Sequence, residues 1–312
     1  MGLNFKNIIG NDKIKKELED SVVNNTISHS YLFLGQEGIG KKLFAKEFAK
    51  MELCLEQNKA CNLCSSCLKF NSNNNPDFIM IEPDGNSIKI SQIREMQESV
   101  YKKPIIAEKK VFIIDDSDKM TEEAQNSLLK TLEEPPEYII IILIASNENK
   151  LLNTIKSRCL KINFNNIENE KIINYINNQQ ITTLPSENLL RMCNGSIGKL
   201  NKINQNLDEY KEVEKSTISI IKDNIINEID IFNKFNILYN SKDVIMDLLD
   251  YMIIIIYENI SKEKDYRKKF IKIISVIEEV KSRLMINTNY DMCIDNLLLK
   301  IWGEINEKSS RS

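Results

Sequence analysis

Residues Lys110–Asn147 read KVFIIDDSDKMTEEAQNSLLKTLEEPPEYIIIILIASN, and the order of signals within them decides the fold. Lys110 to Asp115 is a short run rich in β-branched and aromatic residues, which predicts a strand. Thr121 then opens a helix: Glu122 and Glu123 sit in its first turn, where negative charge favours the helix dipole, and Ala124, Leu128 and Leu132 form one apolar face. Pro135-Pro136 cannot continue a helix and ends it. A second apolar run, Ile139 to Ala145, predicts another strand. Strand, loop, helix and strand in this order form the crossover unit of a mostly parallel sheet.

Outward from this stretch the pattern repeats. Tyr31–Leu34, Phe78–Glu82 and Leu160–Phe164 are further predicted strands. Ile14, Leu18 and Val22 mark one helical face, and Ile93, Met96 and Val100 another, with Ser91 as its expected N-cap. Beyond Phe164 the β signal fades. Helical patterns cover Glu170 to Asn178, Ser186 to Cys193 and Ile197 to Ile203, and longer ones run from about Glu209. A composition shift at Asn165-Asn166 and the polar stretch Asn201 to Asp208 suggest three parts: an α/β domain over 1–165, a small helical domain over 166–207 and a larger helical domain over 208–312.

The 312 residues suffice for two or three domains. Hydrophobic content of 42% and charged content of 28% are ordinary globular values and exclude wholesale disorder. A net charge of −3 gives no global field for nucleic acid, which excludes a histone-like or basic-arm binder. The first twenty residues are charged throughout and carry no signal-peptide core, so a cytoplasmic location is expected. The longest apolar runs, Ile139 to Ala145 and Tyr251 to Tyr257, fall far short of the ~20 residues of a membrane-spanning helix.

Three constellations carry chemistry. Gly35-Gln36-Glu37-Gly38-Ile39-Gly40-Lys41 lies between a predicted strand and a helix, the context of a phosphate loop: its glycines let backbone amides wrap a phosphate, and Lys41 would reach it. The next position of such a loop carries Ser or Thr, whose hydroxyl binds Mg²⁺; here it is Lys42. Lys41 and the amides favour ATP binding and Lys42 opposes it, so occupancy stays open on the residues alone. KVFIIDD ends in two acids. Asp115 fits the acid that positions Mg²⁺, and Asp116 is one methylene shorter than the Glu usual at the water-activating position. Cys54, Cys61, Cys64 and Cys67 place four thiolates in one excursion, enough for a coordinatively saturated S₄ site that would hold one structural Zn²⁺. Buried free thiols or a redox pair are the alternatives there. Cys159, Cys193 and Cys293 are expected to be inert core residues. His29 is expected to serve as a structural hydrogen-bonder, and the mixed-charge run Lys262 to Lys269 as a solvated face.

Together, SHSYLFLGQEGIGK (Ser28–Lys41), the four-Cys insert, KVFIIDDSDKMTEEAQNSLLKTLEEPP, the strand ending ASN, and SRC (Ser157–Cys159) resemble the bacterial clamp-loader AAA+ family of DNA polymerase III. The resemblance is dense over the first 165 or so residues. It implies an AAA+ (RecA-like) parallel-sheet domain with a zinc-binding insert, a small helical lid containing Gly195-Ser196-Ile197-Gly198-Lys199, and an all-α collar. It further implies a hetero-pentamer with gamma/tau and delta subunits that acts, without a membrane, on the sliding clamp and primed DNA. In this family the Arg of SRC, here Arg158, acts in trans on the ATP of a neighbouring gamma subunit. Lys42, Asp116 and Gly198, the last where an active lid supplies Arg, depart from the hydrolysing pattern. The resemblance therefore implies a non-hydrolysing accessory subunit. A self-sufficient gamma/tau-like motor is the alternative, and a zinc-dependent nucleic-acid binder is opposed by the net charge. Asn153 stands where the family often has Pro before SRC.

Overall fold

In the computed structural model, which describes residues 5, 8–56, 60–178, 186–222, 225–260, 267–286 and 288–306, the apolar runs become strands. They are β1 (Ser30–Leu34), β2 (Phe78–Ile81), β3 (Lys110–Ile114), β4 (Ile139–Ala145) and β5 (Leu160–Asn163). All neighbours pair in parallel, in the order β2-β3-β4-β1-β5. β1, β3 and β4 are buried at every position, because helices cover both faces of the central strands, and this is why their sequences are continuously apolar.

The helices of the first half are α1 (Asp12–Val23), α2 (Lys41–Glu52), α3 (Ser65–Asn71), α4 (Ile90–Val100), α5 (Glu122–Glu133) and α6 (Asn153–Lys156). On one face of the sheet Phe112, Ile114, Ile141 and Leu143 meet Ile93 and Met96 of α4 and Leu128 and Leu132 of α5. Residues of opposite parity carry the other face. Tyr31 packs edge-on against Phe48 of α2, with ring centroids 5.2 Å apart, and Phe44 packs against Phe164 at 5.0 Å. The apolar faces expected for α1, α4 and α5 are all buried.

The start of α4 differs from the sequence expectation. Lys89, not Ser91, takes the N-cap position, and Gln92 reaches back from the first turn so that its Oε1 accepts the Lys89 N–H at 3.0 Å. The chain upstream is already held, with Ile88 N–H donating to Lys119 O at 2.9 Å, so the helix starts earlier than the Ser91 signal suggests.

The remaining helices are α7 (Asn169–Asn178), α8 (Glu187–Cys193), α9 (Ile197–Gln205), α10 (Leu207–Ile221), α11 (Glu228–Lys234), α12 (Ile237–Asn240), α13 (Ile245–Ile260), α14 (Arg267–Leu284) and α15 (Tyr290–Asn306). The chain divides into two compact units, Met1–Ile181 with Gly195–Lys199, and Thr182–Asn194 with Leu200–Ser312. The first holds the sheet. The second is helical and centres on α13, which packs against α8, α10 and α14. The apolar run from Tyr251 is thus the middle of a bundle: Tyr251, Met252, Ile255 and Ile256 are buried. No helix among the described residues is long and apolar enough to cross a membrane. The first part of the Lys262–Lys269 run lies outside the described residues.

Candidate functional site

The strand register gathers the site. Leu34 pairs with Ala145, and Ile114 with Leu143, so the residues that follow β1, β3 and β4 emerge together at the carboxyl edge of the sheet. Gly35 leaves β1 there, and α2 begins at Lys41 with Gly40 as N-cap and no capping side chain. Gly40 has φ 103° and open space where a Cβ would stand, so backbone conformation alone calls for glycine there. Gly38 has φ 74°, and a Cβ on it would come within 2.5 Å of Ser196 Oγ. Lys41 is 6% exposed. Its Nζ donates to Gly35 O at 2.5 Å, Gln36 O at 2.8 Å and Ser146 Oγ at 3.1 Å. Burial lowers its pKa, against the pull of Asp118, Asp116, Asp115 and Glu37.

The two acids after β3 diverge. Asp115 Oδ2 lies 2.9 Å from Lys42 Nζ, and its Oδ1 accepts the Asp116 N–H at 3.1 Å. Lys42 also pairs with Glu82, just past the end of β2. Burial works against the Lys42 charge, yet hydrogen bonds to Glu82 and Asp115 raise its pKa above the ordinary value. Asp116 adopts left-handed backbone, φ 48°, and turns its carboxylate to Lys119 at 2.8 Å.

The segment Gly195–Lys199 lies against the loop. Ser196 Oγ donates to Glu37 O at 3.0 Å, and Gly198 N–H donates to Gly38 O at 2.9 Å. A Cβ at Gly198 would stand 2.7 Å from Gly38 Cα, so any side chain there, arginine included, would push the two backbones apart.

Cys54 follows α2, Cys64 caps α3, and Cys67 lies in the first turn of α3. The four Sγ atoms lie within 4.8 Å of one another, with Cys61 Sγ 4.0 Å from Cys67 Sγ. A tetrahedral ion with bonds of ~2.3 Å needs sulfurs about 3.8 Å apart, so the donor set fits a metal. Backbone N–H groups aim at the sulfurs: Leu63 and Cys64 donate to Cys61 Sγ at 3.4 and 3.3 Å, and Cys67 donates to Cys64 Sγ at 3.4 Å. The Leu63 and Cys64 N–H groups lower the Cys61 thiol to about 7, while burial pushes Cys67 up. Cys159, Cys193 and Cys293 are buried, as expected.

Arg158 follows the short α6. Asn153 takes the first helical position, where proline is favoured because its missing N–H has no partner to lose; asparagine fills it and the turn still forms. Ser30 Oγ, at the start of β1, donates to Arg158 O at 2.7 Å and holds the backbone. The guanidinium donates to Glu133 Oε1 at 2.6 Å and Thr154 O at 2.8 Å.

The family model described as DNA polymerase III, delta subunit, matches residues 10–168. The chain belongs to the DNA polymerase III delta-subunit family. This is a clamp-loader family. A DNA polymerase III subunit delta prime of Bacillus subtilis is 35% identical over 209 residues, 67% of this chain and 63% of that protein. A DNA polymerase III subunit gamma/tau of Mycoplasma pneumoniae is 34% identical over 197 residues, 63% of this chain and 28% of that protein. The matched region thus spans less than two thirds of either relative. A solved gamma-subunit-related protein of Thermotoga maritima shares the fold, with TM-score 0.50 at 18% identity, over 92% of this chain and 99% of that one.

Within this family member the sequence-predicted residues Gly35, Gly38, Gly40, Lys41 and Asp115 come to one sheet edge, and Cys54, Cys61, Cys64 and Cys67 come to one cluster. Arg158 lies beside the start of β1, away from that edge, and pairs with Glu133. Sequence reasoning missed Glu82, Ser146, Ser30 and Glu133, all of which are supplied by tertiary contact. Gln125 was missed too: buried in α5, its Nε2 donates to Lys150 O at 3.0 Å and its Oε1 accepts Leu152 N–H at 2.8 Å, setting the entry to α6. A polar residue beside the apolar face of a helix is the signal that could have found it. His29 is exposed, and its backbone carbonyl accepts from Ile141 N–H.

Proposed function

We propose that this chain is the non-hydrolysing delta prime type of clamp-loader subunit, which lends Arg158 to the ATP site of a neighbouring gamma/tau subunit. The observation that carries this reading is the contrast between its two sites. The phosphate loop has its metal-positioning acid tied to Lys42 and its lid arginine replaced by a glycine packed on Gly38. The SRC turn, in contrast, is intact and braced by Ser30, Gln125 and Glu133. Arg158 keeps N–H donors beyond its two bonds, and its planar fork suits phosphate oxygens.

In this reading the sheet domain of 1–165, the lid of 166–207 and the collar of 208–312 build one member of a hetero-pentamer with gamma/tau and delta subunits. ATP-driven assembly of that ring opens the sliding clamp for loading onto primed DNA. Cys54, Cys61, Cys64 and Cys67 would hold one Zn²⁺, which supplies cross-linking and no catalysis, because four thiolates leave no open position. A gamma/tau-like motor is the second reading, favoured by the similar identity to gamma/tau relatives.

The test is the ATPase of the reconstituted complex with clamp and primed DNA. Arg158→Ala is expected to lower turnover at the gamma/tau site it completes by about 10³-fold or more, the scale of an arginine finger, and so to remove that site's share of the DNA-stimulated turnover. Arg158→Lys is expected to restore little because lysine lacks the fork. Unchanged turnover would end the finger role. Turnover by the lone chain would favour the motor.

A further inference from the structure

One ammonium stands where three elements converge. Lys42, in the first turn of α2, reaches Asp115 at the end of β3, 2.9 Å away, and Glu82 at the end of β2. The Asp115 side chain is only 16% exposed, so its charge needs a partner close at hand. The Glu82 limb is half exposed and contributes less. In phosphate loops of this type the partner is a divalent cation, held jointly by the hydroxyl after the loop lysine and by the strand-end acid. Magnesium demands oxygen ligands in a near-octahedral shell. Here the hydroxyl is absent, a positive charge touches the acid, and the second Asp115 oxygen already accepts a backbone N–H. The residues do not fit Mg²⁺.

We propose that Lys42 is the resident cation of this site, a tethered ammonium that takes the place of the divalent metal at Asp115. The loop Gly35–Lys41 therefore meets any nucleotide phosphate without a metal ion. The inference rests on the non-hydrolysing reading and adds the residue that enforces it. A serine or threonine at 42 is too short to reach Asp115 and Glu82, so exchanging Lys42 releases the acid and supplies the hydroxyl in one step.

The experiment is titration of a fluorescent ATP analogue into the full chain, with Mg²⁺ and then with EDTA, followed by anisotropy. The wild-type chain is expected to give curves that differ by less than about twofold, including the case of no binding in either buffer. Lys42→Thr is expected to tighten about tenfold or more in Mg²⁺ over EDTA, and the double variant Lys42→Thr with Asp115→Asn to lose that dependence. Thermal melts of each variant report folding. A wild-type affinity that rises about tenfold with Mg²⁺ overturns the proposal without any variant, as does a folded Lys42→Thr chain indifferent to Mg²⁺. ATP turnover is followed in the same samples: turnover by the wild-type chain sinks the non-hydrolysing reading, whereas metal-dependent binding without turnover sinks only the role of Lys42.

Discussion

Asp12 serves two lysines at once, Lys15 on its own helix and Lys171 at the start of α7, each at 2.8 Å. Hydrogen bonds from both ammonium groups hold its carboxyl at about 2, below the ordinary 3.8. A folded-state pKa below the unfolded one means that the unfolded chain binds the proton more readily, so Asp12 stabilises the fold above pH 3.8 and loses that contribution as pH falls toward 2. Asp12→Asn is therefore expected to lower the urea midpoint at neutral pH, with the gap to the wild type closing on acidification. A gap that stayed constant with pH would show that the loss does not come from the Asp12 charge. Arg158 and Lys42 follow the same logic of pairing, but their partners, Glu133 and Asp115, lie on other elements, and the sequence offered only the residue types.

Between elements, the junction of β2 and β3 depends on a buried acid. Asp77 is 0% exposed and accepts backbone N–H groups from Ile105 and Ile106 at 2.7 Å and from Ala107 at 2.9 Å. The carboxylate thereby replaces water for a loop that leads into β3. Asp77→Asn would turn an amide donor or a weaker acceptor toward these donors, and is expected to cost about 2–4 kcal/mol in urea denaturation with an unchanged slope. A loss below about 0.5 kcal/mol would show that the loop re-forms its bonds with water. The strands and the apolar faces of α1, α4 and α5 were legible from spacing, because burial against a sheet imposes a period that a single segment displays. The N-cap of α4 was not. Ser91 is a good capping residue in isolation, yet the position was set by Gln92 and by the bond from Ile88 to Lys119, which spacing cannot reveal.

For the whole molecule, the cysteine cluster is an excursion between α2 and β2, and none of its residues belongs to the core between the sheet and α4 and α5. If it holds zinc, a strong chelator is expected to release one equivalent and expose residues 54–67 to protease, while the far-UV spectrum of the sheet domain persists and its unfolding midpoint falls. Collapse of the whole spectrum would mean that the metal organises more than its module. The amino-acid sequence by itself determined what contiguous segments can express: alternation of strands and helices, the glycine spacing of the loop, four cysteines close enough to share one ion, and an SRC turn after a helix. Only the tertiary structure decided which charges neutralise which. Lys42 and Glu82 are 40 residues apart, Arg158 and Glu133 are 25 apart, and Lys41 and Ser146 are 105 apart. The strand order β2-β3-β4-β1-β5 brings Lys41, Lys42, Glu82 and Ser146 to the carboxyl edge, while Arg158 and Glu133 meet beside the start of β1, and the pairing of buried or half-buried charge depends on distance in space, which no local spacing encodes.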